Sequence, residues 1–476
     1  LHKAIRRQRQ MCIRDRKKAL LADGTSRIRK KIAVFGGSTT SDIVKTLELF
    51  LLDAGIEPEF YESEYAQYFQ DAMFPDETLL SFKPDIVFIH TTNRNVTDWP
   101  EMTDTTEQID EKLHTEINRF TAMWKSIAEK FHCPIIQNNF EMPLYRLLGS
   151  RDAWDIHGRT NFLTRLNEAF YAYARENESF YIHDLNFVSA DYGLKEWSNP
   201  LFWNMYKYAM CFEAIPSFAF SVSHIIKSIF GKNKKALALD LDNTLWGGVV
   251  GDDGVDGIEI GQETGVSQSY YEFQTYVKQL KSLGIVLTVC SKNDHENALA
   301  GLNHPEGALR PDDFVIIKAN WENKDRNIAE TAAELNILPD SIVFADDNPA
   351  EREIVRTQIK GAAVPDMDGV ENYITTIDRS GFFEVTTFSE DDLKRNEMYK
   401  KNALRAAEMA SFGDYNDYLK SLEMHAVIDD FIPVYLARIT QLTNKSNQFN
   451  VTTRRYTPAE MESVFEDDGY IRPVSY

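Results

Sequence analysis

The feature that most constrains the fold is a short apolar run followed at once by two acidic residues and a glycine-rich turn. Ala236–Leu239 is apolar throughout, which is typical of a buried strand in a parallel sheet. Asp240 and Asp242 come directly after it. Ligands of open α/β sheets bind at the carboxyl ends of strands. Two carboxylates there are costly unless a cation neutralises them, so the run predicts a metal site at a sheet edge.

Strands alternate with helices before and after this run, which predicts parallel, doubly wound sheets and an α/β fold class. The other predicted strands are 31–35, 58–61, 84–90, 133–137, 285–290, 314–317 and 341–345. The main predicted helices are 41–54, 106–131, 267–283 and 325–335, and a long helical pattern, 204–230, is expected to break at Pro216.

Polar residues follow three further strands. Ser291 ends one strand, Lys324 lies a few residues beyond another, and Asp346–Asp347 follow the last core strand. Each signal alone would favour an ordinary turn or a surface residue. Because the carboxyl ends of parallel strands meet at one edge, their convergence favours a catalytic site.

The motif Asp240-x-Asp242-x-Thr244 resembles the first motif of the haloacid-dehalogenase (HAD) superfamily of phosphotransferases. The longer run DLDNTLWGGVVGDDG, Asp240 to Gly254, resembles the FkbH-like, HAD-IIIC phosphatase branch. The resemblance implies a HAD-type Rossmann-like parallel sheet domain. It also implies a function: members load a glyceryl unit from a glycolytic acyl phosphate onto an acyl carrier protein. They do so in secondary-metabolite, including polyketide, or surface-glycan biosynthesis.

The resemblance also implies roles for the strand-end residues. Asp240 would attack phosphorus and form an aspartyl-phosphate, and Asp242 would serve as general acid and base. Ser291 and Lys324 would bind the phosphoryl oxygens, with Lys318 as a rival for the lysine role. The expected Mg²⁺ ligands are Asp240, the Asp242 carbonyl, and Asp346 or Asp347. The expected substrate contacts are Asn243, Thr244, Lys292 and Asn293.

Cys290 is a further candidate because it immediately precedes Ser291. A thiol beside a metal and a lysine could hold an acyl group before the carrier takes it. Strand alternation, however, points Cys290 and Ser291 to opposite faces, and a cysteine ending an apolar strand is commonly just buried.

The net charge of −21 argues against nucleic acid and anionic membranes as partners. Four cysteines without metal-ligand or disulfide spacing fit a reducing cytoplasm. No apolar run is long enough to span a membrane.

The region before the acid pair is predicted to be an SGNH-like α/β domain, residues 30–232. Ser38 follows a strand and a glycine pair, but the SGNH esterases have Gly-Asp-Ser where this chain has Gly37 before Ser38, and they have a late Asp-x-x-His that Ile182–Asn186 lacks. We therefore expect no esterase, and expect Ser38 and Thr39 to cap the next helix.

The ends of the chain carry two further expectations. Residues 1–29 are basic, and Met11–Arg16 resembles a translated sequencing adaptor, so an artefactual or disordered leader is expected, with a natural basic helix as the alternative. The phosphatase domain is expected to span 233–385. Residues 386–476 are expected to form a helical connector and a truncated acetyltransferase-like α+β domain, because Gln441–Tyr456 resembles the C-terminal run of FkbH-like proteins.

Short spacings suggest an open active site. About fifty residues separate Asp240 from Ser291, and the stretch to Lys324 is also short, so no large lid fits between them. An open site admits a carrier-borne substrate. The alternatives are a plain phosphatase acting on a small sugar or nucleotide phosphate, and a non-catalytic scaffold that binds biosynthetic partners.

Overall fold

A computed structural model describes residues 2–411, 420, 423, 425, 429–445, 454–467 and 474–475. The chain divides into two compact units. Unit 1 contains residues 1–232 with 431–444 and 454–473, and unit 2 contains 233–430 with 445–453 and 474–476.

Unit 1 is built on a parallel five-stranded sheet with the order β2-β1-β3-β4-β5. The strands are β1 (Ile28–Gly36), β2 (Ile56–Glu62), β3 (Ile86–His90), β4 (Ile135–Asn138) and β5 (Phe180–His183). The helices are α1 (His2–Ala22), α2 (Ser41–Asp53), α3 (Tyr68–Met73), α4 (Glu77–Phe82), α5 (Thr106–Phe131), α6 (Arg159–Glu176), α7 (Leu185–Tyr192), α8 (Leu194–Trp197), α9 (Pro200–Tyr206) and α10 (Ile215–Ile229).

Alternation along β1 explains why helices cover both faces of this sheet. Ile32 and Val34 pack into the core shared with α2 and α10, whereas Ala33 and Phe35 pack into the core shared with α5 and α6. A strand buried on both faces needs an apolar residue at every position, which is what the sequence showed. The predicted α/β class with parallel sheets is thereby confirmed.

The predicted helical pattern 204–230 is interrupted, but the interruption is not at Pro216 as expected. The structure has two helices, α9 and α10, separated by eight residues that are not helical. Pro216 lies in the first turn of α10 rather than breaking a helix. Proline is tolerated there because the first N–H groups of a helix have no partner within the helix. Helix α5, in contrast, has the predicted bounds, and Thr105 and Gln108 form a capping box at its start.

Unit 2 is built on a parallel four-stranded sheet with the order β8-β7-β6-β9. The strands are β6 (Ala236–Leu239), β7 (Val286–Ser291), β8 (Ile316–Ala319) and β9 (Ile342–Ala345). The helices are α11 (Val250–Asp253), α12 (Gly265–Ser282), α13 (His295–Leu302), α14 (Lys324–Glu334), α15 (Pro349–Gln358), α16 (Tyr373–Arg379) and α17 (Glu390–Ser411). Leu237 and Leu239 pack toward α12, and Ala236 and Ala238 toward α14.

The expectation of a disordered leader is not met, because α1 is a helix. Leu20 is buried, and Lys17 forms a 2.7 Å ion pair with Glu48 of α2. Whether the segment is an artefact or a natural basic helix stays a prediction.

The described residues after 385 do not form a third unit. Asn396 of α17 donates to the carbonyls of Lys281 and Ile285 in unit 2. The remaining elements are β10 (Asp429–Asp430), α18 (Leu436–Lys445), α19 (Pro458–Glu466) and β11 (Val474–Ser475). Glu460 of α19 pairs with Lys30 of β1 at 3.2 Å, within unit 1. Part of the motif 441–456 lies outside the described residues, and the acetyltransferase-like domain stays a prediction.

Among the helices of the described residues, no helix is both long enough and apolar enough to cross a membrane.

Candidate active site

Three carboxylates meet at the carboxyl edge of the unit 2 sheet. Asp240 directly follows β6, and Asp346 and Asp347 directly follow β9. The two strands are adjacent, with Leu239 opposite Ala345, so their ends lie side by side. One carboxylate oxygen of each residue lies within 4.8 Å of the others. Such a set of oxygen donors suits a hard divalent cation.

Lys324 neutralises part of this charge. Its Nζ lies 3.0 Å from Oδ1 of Asp240 and 2.5 Å from Oδ2 of Asp346, and the residue is 3 % exposed. Burial alone would lower the pKa of Lys324, but its charge interactions and hydrogen bonds with Asp240 and Asp346 outweigh burial and raise it. The lysine therefore stays charged at neutral pH. The rival, Lys318, instead pairs with surface carboxylates of α14.

Burial and the charge of Asp240 raise the pKa of Asp346 to about 6, although Lys324 opposes the shift. The other oxygen of Asp346 accepts the N–H of Asn348. The crowded carboxylates are thus unfavourable together, which is the condition that a bound cation relieves.

Asp242 is oriented by three hydrogen bonds. Oδ1 accepts from Trp246 Nε1 at 2.9 Å and from the Val250 N–H at 3.1 Å, and Oδ2 accepts from Asn293 Nδ2 at 3.0 Å. Burial raises the pKa of Asp242, and the hydrogen bonds from Val250 and Trp246 only partly oppose the shift. A carboxyl group fixed in this way is suited to exchange a proton with one defined neighbour. Sequence reasoning missed Trp246, although it lies four residues after Asp242.

The turn after Asp242 requires a left-handed backbone at Asn243, whose φ is +56°. The Asn243 side-chain oxygen accepts the Gly248 N–H, and its carbonyl accepts from the hydroxyls of Tyr270 and Tyr373. Its side-chain oxygen thus holds the turn closed. Whether its amide nitrogen reaches substrate stays a prediction.

Thr244 has no exposed surface, and its expected contact with substrate stays a prediction. Its hydroxyl accepts the Asp347 N–H at 3.2 Å and lies 3.4 Å from Oδ1 of Asp347. Thr244 therefore positions one of the three carboxylates.

Ser291 and Lys292 lie at the end of β7, next to β6 in the sheet. Ser291 is 1 % exposed. Lys292 forms a 2.6 Å ion pair with Glu351, at the start of α15. A substrate phosphate would have to compete with Glu351 for this lysine.

Arg352 is a positioning residue that the sequence did not reveal. Its buried guanidinium donates to the carbonyls of Asp346, Asp347 and Met367, and it pairs with Asp368 at 2.9 Å. A single cation thereby fixes the backbone of two site carboxylates. It comes from α15, which follows them directly in the chain.

Cys290 lies in the core on the face of the sheet that packs against α14. Burial raises the pKa of its thiol, although Lys324 opposes the shift, and the thiol lies 3.6 Å from the Lys324 carbonyl. The structure gives Cys290 the packing role that strand alternation favoured, and does not support its assignment as an acyl carrier.

In unit 1, the expectation that Ser38 and Thr39 cap α2 is wrong. Thr40 precedes the helix and makes no side-chain cap, and the Thr39 hydroxyl donates to the Tyr206 carbonyl. The buried Oγ of Ser38 has no hydrogen-bond partner among the described residues. A serine nucleophile needs a base within hydrogen-bond reach, so this geometry offers no support for an esterase.

The comparisons with known proteins agree with this site. The sequence model of a family described as FkbH, N-terminal domain, matches residues 31–227. Among solved structures, the N-terminal part of the protein BF1531 from Bacteroides fragilis contains a phosphatase domain and is complexed with Mg. It matches with a TM-score of 0.72 and 30% identity over 79% of this chain and 99% of that chain. No curated protein matches the sequence.

The parallel sheet with acidic residues and a buried lysine at its carboxyl edge defines a haloacid-dehalogenase phosphatase. Within that class, the chain belongs to the FkbH-like family.

Proposed function

We propose that this protein is a Mg²⁺-dependent phosphatase and phosphotransferase that works through an aspartyl-phosphate on Asp240. The observation that carries the proposal is the meeting of Asp240, Asp346, Asp347 and Lys324 at one sheet edge. Asp240 directly ends a rigid central strand, where a nucleophile is held most firmly.

The donor set fits Mg²⁺, because three carboxylates offer oxygens within 4.8 Å of one another. Asp240, Asp346 and Asp347 would hold the ion. When bound, it supplies positive charge that stabilises the transferring phosphoryl group. BF1531, complexed with Mg, supports this assignment.

The chain's own residues would carry the two steps. A carboxylate oxygen of Asp240 bonds to phosphorus as the bond to the leaving oxygen breaks, and Asp242 gives that oxygen a proton. Water then attacks the aspartyl-phosphate, Asp242 takes the proton of the water, and phosphate leaves with Asp240 restored. Ser291 would donate to a phosphoryl oxygen, and Lys324 would hold Asp240 in line. Trp246 and Asn293 hold Asp242 in place for both proton transfers.

We further propose that the substrate is a glycolytic acyl phosphate such as a bisphosphoglycerate. The thiol of an acyl carrier protein would attack the acyl carbon and form a thioester as the acyl–phosphate bond breaks and phosphate leaves, and the Asp240 site would remove the remaining phosphate from the glyceryl unit. Between β6 and α12 the chain has only short helical turns and a loop, without an inserted domain. An uncapped site of this kind admits a group borne on a protein. This substrate implies a cytoplasmic location, because glycolytic intermediates are found in the cytoplasm. A plain phosphatase acting on a small phosphate ester is the second candidate, and it needs no carrier.

Two assays test these proposals separately. Phosphate release from a panel of small phosphate esters should require Mg²⁺ and should fall by roughly 10³-fold or more in Asp240→Asn. The matched control is Asp252→Asn, an exposed aspartate of α11, which should keep full activity. Substantial turnover by folded Asp240→Asn would overturn the phosphatase mechanism.

Mass spectrometry of a carrier protein incubated with enzyme, Mg²⁺ and a glycolytic acyl phosphate tests the transfer. A glyceryl adduct on the carrier supports loading. An active phosphatase that leaves the carrier unmodified supports the plain phosphatase instead.

A further inference from the structure

Unit 1 contains a cavity of about 430 Å³ that the proposed phosphatase chemistry does not use. Asn93 lies three residues beyond β3, and Glu141 three residues beyond β4, and both line this cavity. Its opposite wall includes Trp197 of α8 and Trp203 of α9. The cavity therefore lies where ligands of parallel α/β sheets bind, beyond the carboxyl ends of adjacent strands. Its size falls in the range of small-molecule sites.

Two arginines line the cavity, and the guanidinium of each packs against an aromatic ring. The guanidinium of Arg159 lies 4.9 Å from the ring centre of Trp99 and donates to the Tyr145 hydroxyl at 2.9 Å. The guanidinium of Arg94 lies 5.4 Å from the ring centre of Trp203. Within the part of the chain that the structure describes, neither arginine is within ion-pair distance of a carboxylate. Their stacked guanidiniums therefore keep hydrogen-bond donors for a ligand.

Glu141 adds an uncharged acid to the same cavity. Its side chain is 4 % exposed, and Oε2 accepts the Asn93 N–H at 3.2 Å. Burial raises the pKa of Glu141 to about 8, although backbone N–H groups and the charge of Arg94 oppose the shift. At neutral pH the group keeps its proton, so it does not repel an anion and can donate to one.

We propose that this cavity is a binding site for a small organic anion that carries a carboxylate or phosphate group on an apolar body. Guanidinium groups recognise both kinds of anion through paired hydrogen bonds. The tryptophan and tyrosine rings provide an apolar surface for the rest of the ligand. The site lies wholly within unit 1, and its occupancy does not depend on the chemistry proposed at Asp240.

Calorimetric titration of the full chain tests the proposal, with phenylacetate and phenylphosphonate as probes and chelator present to weaken binding at the metal site. At least one probe should bind, and benzyl alcohol, which lacks the charge, should bind about tenfold more weakly or worse. In Arg94→Gln/Arg159→Gln the dissociation constant should rise at least about tenfold. The matched control is Arg175→Gln, an exposed arginine of α6, which should bind as the wild type does.

Further measurements keep the result interpretable. The circular dichroism spectrum and urea unfolding curve of the double variant should match those of the wild type, which shows that unit 1 is folded, and unchanged phosphate release shows that the phosphatase site of unit 2 is intact. Should the double variant not fold, Arg94→Gln alone changes only an exposed side chain and should weaken binding about threefold or more. Glu141→Gln, which keeps a donor, should bind within about threefold of the wild type.

The two probes also identify the anion. Tighter binding of phenylacetate points to a carboxylate ligand, and tighter binding of phenylphosphonate to a phosphate ester. The absence of binding by both probes, or binding that survives loss of the arginines, overturns the proposal.

Discussion

The carboxyl edges of the two sheets differ in the charge of their buried polar groups. Both sheets are parallel, and in both the polar residues begin where the apolar strands end. In unit 2 these residues are carboxylates gathered around Lys324. In unit 1 the residues that end β3, β4 and β5 are neutral. His90 and His183 are buried, and Asn138 lies between them, 2.7 Å from His90 Nδ1 and 2.9 Å from His183 Nδ1.

The difference teaches that a sheet edge alone does not make an active site. Charged groups persist at the unit 2 edge because a buried lysine offsets them, and their mutual repulsion favours a cation. Burial lowers the pKa of His90 and of His183 to about 3, so both stay uncharged. His183 bonds to Asn138 and to the Ser221 hydroxyl, whereas His90 bonds to Asn138 through Nδ1 and its buried Nε2 has no partner among the described residues. The carboxylates and Lys324 of unit 2 can stabilise charge on a substrate, whereas the His90–Asn138–His183 cluster of unit 1 stabilises the fold.

Removing the buried cation of unit 2 should have the largest effect. Lys324→Met leaves Asp240 and Asp346 without their partner, so phosphate release should fall by roughly 10³-fold. The control, Lys318→Met, removes a lysine that pairs only at the surface, and it should keep activity within about twofold. Equal losses in both variants would contradict the charge arrangement described here.

Acidification should destabilise the folded protein, because the buried histidines of unit 1 are held uncharged. Burial lowers the pKa of His224 to about 3, whereas an unfolded histidine protonates below about 6.5. Its contribution to stability is therefore complete above pH 6.5 and is lost as the pH falls toward 3. By pH 5 the loss amounts to at most about 2 kcal/mol.

The test compares urea unfolding at pH 7 and pH 5. His224→Leu should lose less stability between the two than the wild type, by up to about 2 kcal/mol. His114→Leu, at an exposed position of α5, should behave like the wild type. An identical pH dependence in all three proteins would show that His224 is not held neutral.

Removing one hydrogen bond to Asp242 should reduce activity less than removing Lys324. Asn293→Ala deletes one of three hydrogen bonds to this carboxylate, so kcat should fall about 10- to 100-fold with little change in KM. Asn303→Ala, at an exposed position just after α13, is the matched control. A large rise in KM with kcat preserved would instead assign Asn293 to substrate binding.

Ser38→Ala should have the smallest effect. It removes a buried hydroxyl that has no hydrogen-bond partner among the described residues, so stability should stay the same or rise by up to about 1 kcal/mol. Phosphate release should not change. An esterase activity that disappears in this variant would show that the unit 1 edge is catalytic after all.

The amino-acid sequence by itself predicted every strand of the two parallel sheets except β5, the helices α2, α5, α12 and α14, and the acid pair at Asp240 and Asp242. Apolar runs and helical periodicity are set by neighbouring residues of the chain. The capping box that starts α5 is likewise formed by two residues only three positions apart, Thr105 and Gln108. The expected break in 204–230 was misplaced, because helical periodicity continued across 207–214, which connect two separate helices.

Only the tertiary structure decided which partner each polar group obtained. The sequence left Lys318 as a rival to Lys324, but in the structure Lys324 pairs with Asp240 and Lys318 pairs with carboxylates at the surface. The hydrogen bond from Asn293 to Asp242 joins residues 51 positions apart, and that from Thr244 to Asp347 joins residues 103 positions apart. Such contacts depend on the order and register of the strands, which no local pattern of residues encodes.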